Sequence, residues 1–207
     1  MTHNILIVDD QKMQRIALQT SLSENPDYHV VDSIGTAEMA INFADSKPID
    51  LIIMDIVMTA GINGIEAASR IKRDHPEIKI ILVTSMPEVS YIEKAKEAGA
   101  EGMWYKEQES LPLETVIGKV LSGEVVYPEA TPVLTIGIAS STDFTQRELD
   151  VLRKVVYGYS DQEIGEALNM SIWTVRSHVK NLLQKTGFKN RVELAVNVRS
   201  SGLVIDE

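Results

Sequence analysis

Residues 5–10 read Ile-Leu-Ile-Val-Asp-Asp, and residues 51–55 read Leu-Ile-Ile-Met-Asp. Each is a short, unbroken apolar run that stops on carboxylates. Such a run, bounded by polar residues, fits a strand covered on both faces of a parallel sheet. Ligands of open α/β sheets bind beyond the carboxyl ends of the strands. With the two strands side by side, Asp9, Asp10 and Asp55 converge on one acidic pocket. Three carboxylates at close range repel one another. They stay ionised together only with a cation among them or a strong donor beside them. A hard, oxygen-liganded ion such as Mg²⁺ suits that pocket.

Two later strand ends complete the set. Lys79-Ile-Ile-Leu-Val83 runs into Thr84, and Gly102-Met-Trp-Tyr105 runs into Lys106. The four termini therefore offer acid, acid, hydroxyl and ammonium. A carboxylate nucleophile, a metal, a hydroxyl donor and a fixed cation are what phosphoryl transfer onto a carboxylate requires. The metal and Lys106 would neutralise the phosphoryl oxygens, and Thr84 would hydrogen-bond one of them.

Around these runs the chain alternates strand and helix. Strands are expected near 4–8, 28–33, 50–54, 79–83 and 102–105, with helical patterns over 11–24, 36–46, 64–74, 88–98 and 110–122. Pro26, Pro48 and Pro76 fall between elements, as breakers should. Five β/α units in succession predict an α/β fold, a doubly wound parallel five-stranded sheet.

From Thr145 onward the pattern is all helical. Thr145-Gln-Arg-Glu148 and Ser160-Asp-Gln-Glu163 are two capping boxes. The first opens a helix to about Tyr157, closed by Gly158, and the second a helix to about Leu168. Asn169-Met170 makes a turn, a third helix follows from Ser171 or Ile172 to Lys185, and Gly187 ends it. A fourth runs from about Arg191 to Arg199. A short helix, a tight turn and a basic helix form a helix-turn-helix. In the third helix Val175, Val179, Leu182 and Leu183 face the core, while Arg176, Ser177, Lys180 and Gln184 lie opposite. That outer row fits a major groove, where Arg and Lys donate to guanine edges or to phosphates.

The charge distribution agrees. The chain carries a net −10. Residues 1–124 account for −9 of it and 125–143 for −2, whereas 144–207 carry +1. Residues 171–191 hold Arg176, Lys180, Lys185, Lys189 and Arg191 and no acid. A local basic stretch reports a nucleic-acid face even in an acidic chain. There is no cysteine, which excludes disulfides and zinc–thiolate sites. No apolar stretch reaches membrane-span length, and the N-terminus enters strand-like sequence at once, so the expected location is cytoplasmic with no membrane partner. Residues 123–143 form a linker by composition. Its apolar piece Val133-Leu-Thr-Ile-Gly-Ile-Ala139 is too apolar for a solvated tether, and fits a short strand or helix packed on a domain.

Residues 3–122 resemble the receiver domain of two-component response regulators, on Asp9-Asp10, Asp55, Thr84 and Lys106, each at a strand end and in the family's order. The resemblance implies the flavodoxin-like strand order 2-1-3-4-5 and a sensor histidine kinase that phosphorylates Asp55. It also implies Mg²⁺ ligation by Asp10, Asp55 and the Val57 carbonyl, with Asp9 acting mainly through water. The sequence departs from the family at three places. Thr59 stands where proline is usual, Gly64 comes one residue late, and Met103 occupies the aromatic switch position that would couple to Thr84.

Residues 144–203 are similar to the LuxR-type helix-turn-helix. The match rests on Phe144-Thr-Gln-Arg-Glu148, Gly158-Tyr-Ser160, Glu163-Ile-Gly165, Leu168, Ser171-Ile172, Thr174-Val-Arg176, His178, Asn181, Lys185-Thr-Gly187, Asn190-Arg191 and Gly202-Leu203. By position, Arg176, Ser177 and Lys180 would face the groove. Thr174, His178 and Lys189 would lie nearer the DNA backbone or serve structure. Asp161 stands where asparagine is common, and adds a negative charge at a helix start.

The expected organisation is therefore a receiver over 1–122, a linker over 123–143 and a DNA-binding domain over 144–207, resembling NarL/FixJ-type response regulators. The implied function is a phosphorylation-switched transcription regulator, no enzyme beyond its own phosphorylation chemistry, that binds double-stranded DNA as a homodimer when active. The pairing surface lies either in the receiver or along the fourth C-terminal helix, 191–199, where Val192, Ala195 and Val196 are the apolar candidates and core packing is their competing use. The alternative is a constitutive DNA-binding protein with a structural receiver.

Overall fold

The computed structural model describes residues 2–58, 61–88, 90–106, 111–201 and 203–204. Thr59 and Gly202 lie outside the described residues. The chain divides into two compact units, Met1–Ser85 with Ser90–Glu129, and Ala130–Glu207 with Met86–Val89.

The first unit alternates β1 (His3–Val8), α1 (Lys12–Ser23), β2 (Tyr28–Ile34), α2 (Ala37–Ser46), β3 (Leu51–Asp55), α3 (Gly64–Asp74), β4 (Lys79–Thr84), α4 (Tyr91–Glu97), β5 (Gly102–Tyr105) and α5 (Leu113–Leu121). The strands form one sheet in the order β2-β1-β3-β4-β5, and every pair is parallel. This is the expected doubly wound arrangement. Every residue of β3 is buried, because it lies at the centre of the sheet with helices on both faces. Side chains alternate across the sheet. Ile5, Ile7, Ile53, Ile81 and Val83 point to one face, where Leu113, Val116, Ile117 and Val120 of α5 and Leu22 of α1 close over them.

Two helices begin later than periodicity suggested: α4 at Tyr91 and α5 at Leu113. For α5 the cause is Pro112, which stands at the cap position and biases the preceding Leu111 away from helical ψ. A partly buried ion pair ties the base of the sheet. The Lys72 ammonium donates to Glu101 Oε1 at 2.8 Å and to the carbonyls of Pro76 (2.7 Å) and Ile78 (2.9 Å). Glu101 Oε2 in turn accepts the Ile80 N–H at 2.9 Å.

The linker is more ordered than its composition implies. Val126 lies along the outer edge of β5, accepting from the Met103 N–H at 3.0 Å and donating to the Glu101 carbonyl at 2.9 Å. The apolar piece Val133–Ala139 holds β6 (Thr135–Ile136), which pairs antiparallel with β7 (Ala139–Ser140). Ile136 and Ala139 belong to the core of the second unit.

Four helices complete that unit: α6 (Gln146–Val156), α7 (Asp161–Leu168), α8 (Ile172–Thr186) and α9 (Arg191–Ser201). Both expected capping boxes are present, at Thr145 with Glu148 and at Ser160 with Glu163. Asn169 takes a left-handed conformation (φ +52°) in the turn between α7 and α8. Gly165 lets the two helices close on each other, since a Cβ there would fall 2.8 Å from the Met170 carbonyl oxygen. Leu152, Ile164, Val175, Leu182, Leu194 and Val198 are fully buried between the four helices.

Candidate functional site

The sheet order places β1, β3, β4 and β5 so that their carboxyl ends open on one edge. Asp9 follows β1 and is fully buried, and Asp55 ends β3 and is also buried. Asp10 is half-buried. One carboxylate oxygen from each of Asp9, Asp10 and Asp55 lies within 4.8 Å of the other two. Lys106, just past β5, crosses to them. Its Nζ donates to Asp9 Oδ2 at 2.7 Å and to Asp55 Oδ2 at 2.9 Å.

The loops hold the carboxylates in place. Asp9 Oδ1 accepts the Gln11 N–H at 2.8 Å, and its carbonyl accepts from Arg15 Nη1 at 2.6 Å. Asp55 Oδ1 accepts a long bond from the Val57 N–H, 3.4 Å. Gly64 N–H returns to the Ile56 carbonyl at 2.9 Å, which brings the start of α3 hard against the end of β3. A Cβ at Gly64 would sit 2.1 Å from the Asp55 carbonyl oxygen. The glycine that the sequence placed one residue late is therefore fixed by this close approach.

Burial pushes the Asp55 carboxyl up to about 6; the Lys106 ammonium pulls it down, and Asp9 adds a smaller push upward. Burial works to lower the Lys106 pKa, but the Asp55 and Asp9 carboxylates outweigh it and raise the value. The Lys106 ammonium thus keeps its charge beside the carboxylates. Three hard oxygen donors with one fixed ammonium fit a small divalent ion such as Mg²⁺. Asp9 is fully buried and both its oxygens accept short bonds, at 2.8 and 2.7 Å, whereas Asp55 Oδ1 carries only the long bond from Val57.

Thr84 ends β4, between the strands that finish at Asp55 and Lys106, and is fully buried. Its carbonyl accepts the Lys106 N–H at 2.9 Å, so the Thr84 and Lys106 backbones are joined. Met103 is buried in the core, as is Tyr105. Trp104 points to the opposite face, packs on the cluster under α1 and α5, and donates its indole N–H to the Leu111 carbonyl at 2.7 Å.

In the second unit, Arg176, Ser177 and Lys180 are exposed along one side of α8, and Val175 and Leu182 are buried on the other. Thr174 is exposed, with its hydroxyl 2.8 Å from that of the N-cap Ser171. His178 is half-buried, and Lys189 is exposed beyond the end of the helix. Not all the basic residues of 171–191 face outward for use. Lys185 donates to both Glu148 oxygens, at 2.9 and 2.7 Å, and to the Asp143 carbonyl at 2.7 Å. Arg191 pairs with Asp161, and Arg176 Nε donates to the same carboxylate at 3.3 Å. Asp161 thus spends its charge within the unit, an arrangement between residues too far apart in sequence to announce itself. On α9, Val192 and Val196 are exposed, whereas Ala195 packs against the core and is not part of an outer face.

The model of the response regulator receiver domain matches residues 5–117, and that of bacterial regulatory proteins of the luxR family matches 142–198. The chain is similar to the response regulator protein VraR of Staphylococcus aureus, 32% identical over 99% of this chain and 100% of that one. Among solved structures it is similar to RcsB from Salmonella enterica serovar Typhimurium, solved bound to promoter rprA in the presence of the phosphomimetic BeF3-. That likeness has a TM-score of 0.63 and 25% identity, and covers 97% of this chain and 99% of that one. A LuxR-family two-component response regulator from Aurantimonas sp. SI85-9A1 matches with a TM-score of 0.58 and 27% identity, over 64% of this chain and 91% of that one. A receiver at one end and a luxR-family regulatory domain at the other, matched over the whole length of VraR, place the chain in the response-regulator family.

Proposed function

We propose that Asp55 accepts a phosphoryl group from a sensor histidine kinase, and that phosphorylation drives dimerisation and binding of α8 to double-stranded DNA. The observation that carries this reading is the ammonium of Lys106 held between Asp9 and Asp55, a fixed positive charge beside a buried carboxylate. An Asp55 oxygen attacks phosphorus as the bond from phosphorus to the kinase histidine breaks. Lys106 stays beside the site and neutralises a phosphoryl oxygen as charge develops. Thr84, at the neighbouring strand end, supplies the hydroxyl that fixes the product. Mg²⁺ held by Asp10, Asp55 and the Val57 carbonyl would supply further charge neutralisation. Asp9 braces Lys106.

Met103 lies in the core, so the switch here runs through Thr84 and the Asp55 loop rather than through an aromatic side chain. Arg176, Ser177 and Lys180 would face the groove, and Thr174, His178 and Lys189 the backbone or the helix's own structure. RcsB was solved on promoter DNA, which supports the same use for this domain. The pairing surface falls to the exposed Val192 and Val196. No described helix is long and apolar enough to cross a membrane, and a cytoplasmic regulator without further enzymatic activity follows from the reading.

The test measures oligomer state and DNA binding of the full chain, before and after acetyl phosphate, for the parent and Asp55→Asn. The reading expects a dimer and tighter binding only in the treated parent. Equal binding in all four samples would establish the constitutive alternative.

A further inference from the structure

The reading helix carries a large side chain that this assignment does not use. Trp173 is 74% exposed at the second position of α8. An indole held in water forgoes the stabilisation that burial would give it. It stands one turn before Arg176 and opens the outward stripe of Arg176, Ser177 and Lys180. Its neighbours on that stripe are cations and a hydroxyl, with no acid from 171 to 191, which favours nucleic acid over a protein partner.

Two contacts link it to Arg176. The guanidinium carbon lies 5.4 Å from the centroid of the Trp173 ring, a cation–π distance. Arg176 Nε also donates to Asp161 Oδ2 at 3.3 Å, and Asp161 is itself anchored by Arg191. The cation–π contact and the bond at Nε both restrain the guanidinium before any DNA arrives, on a residue exposed along the outer stripe. A pre-set fork loses less freedom on forming two bonds.

We propose that Trp173 is a specificity-determining residue of this domain, with its indole against the 5-methyl group of a thymine, one base step from a guanine read by Arg176. Apolar contact with that methyl is the major-groove feature that an indole can use, and guanine O6/N7 is the partner of an Arg fork. Three residues of helix rise about 4.5 Å, close to the roughly 3.4 Å of one base step. The inference rests on α8 being the reading helix.

The full chain, treated with acetyl phosphate, is used to select from a pool of random-sequence duplexes, beside Trp173→Ala, Arg176→Ala and Lys180→Ala. The parent should enrich a half-site with adjacent thymine and guanine. Trp173→Ala should lose the thymine preference alone, and Arg176→Ala the guanine preference. Replacing that thymine by deoxyuridine removes only the methyl. It should weaken parent binding about fourfold per half-site, the weight of one buried methyl-sized group, and leave Trp173→Ala unaffected. A parent indifferent to deoxyuridine, or a Trp173→Ala variant that pays the same penalty, overturns the proposal while the reading helix stands. If Arg176→Ala and Lys180→Ala both select and bind like the parent, or if the parent enriches no motif, the helix assignment itself fails and this proposal with it.

Discussion

The Lys106 ammonium lies 2.9 Å from the Asp55 carboxylate, although β5 and β3 are not neighbours and β4 runs between them. The long lysine side chain reaches across a strand end to do this, and Asp9 at 2.7 Å holds it there. The Asp55 carboxylate and the ammonium beside it are therefore brought together by sheet order, not by any local motif.

Gly64→Ala tests how tightly the acceptor is placed. The new methyl would collide with the Asp55 carbonyl, 2.1 Å away, so backbone must shift. The rate of phosphorylation by acetyl phosphate should fall on the order of 10²-fold, the scale set by a misplacement of about 1 Å. Phosphoprotein gels over a time course read the rate. An unchanged rate would show that the close approach of α3 is irrelevant to the chemistry.

Lys72→Met tests the ion pair under the sheet. Lys72 and Glu101 side chains are only 13% and 14% exposed, so removing one partner strands the other in a poorly hydrated site. Urea unfolding followed at Trp104 should show a loss on the order of 3 kcal/mol. Adding Glu101→Gln should cost less than the sum of the two single changes, because they share one interaction.

Glu148 gives the second unit an acid-sensitive joint. Burial would raise its pKa, but Lys185 and the Thr145 donors outweigh burial and hold it below the ordinary glutamate value. A lowered folded value means stability that is complete above the ordinary glutamate value and drains away as pH falls through the folded one. Glu148→Gln should cost about 2 kcal/mol at neutral pH and flatten the loss in acid below the ordinary glutamate range. Hydrogen exchange of α6 and α8 amides across pH measures both. A parent and variant with parallel acid profiles would contradict the pairing.

Lys180 and Lys185 should behave oppositely. Lys180 is exposed on the outer stripe, whereas Lys185 is spent on Glu148. If Lys180 contacts phosphate, Lys180→Ala should reduce the slope of log affinity against log salt by about one. Lys185→Ala should leave the slope alone and lower the unfolding midpoint. Fluorescence anisotropy over a salt series, with thermal melts beside it, separates them.

What the sequence showed and hid follows from range. The apolar runs ending at Asp9 and Asp55, the capping boxes at Thr145 and Ser160, and the Gly187 stop are signals within a few residues, and each corresponds to an observed element. The hairpin of β6 and β7 has two residues per strand, too few for any period, so Val133–Ala139 could be read only as a packed piece. Lys72–Glu101 and Asp161–Arg191 join residues 29 and 30 apart, and charge counts cannot reveal such pairs. Trp173 was visible as a letter, but its exposure was not: a helical aromatic is as readily a core residue until the fold shows which face turns out.

The Val126 strap along β5 has a consequence for how copies of this chain can meet. An open sheet edge offers unpaired N–H and C=O groups to any passing strand, and so invites indefinite edge-to-edge growth. At the β5 margin, Val126 already occupies the Met103 donor and the Glu101 acceptor. The other margin, β2, pairs through a register shift at Ile5/Leu6 and exposes His29 and Asp32. Neither margin is a flat, apolar template. Self-association is thereby steered towards helix faces, where two-fold pairing is complete at two copies and does not run on into a filament.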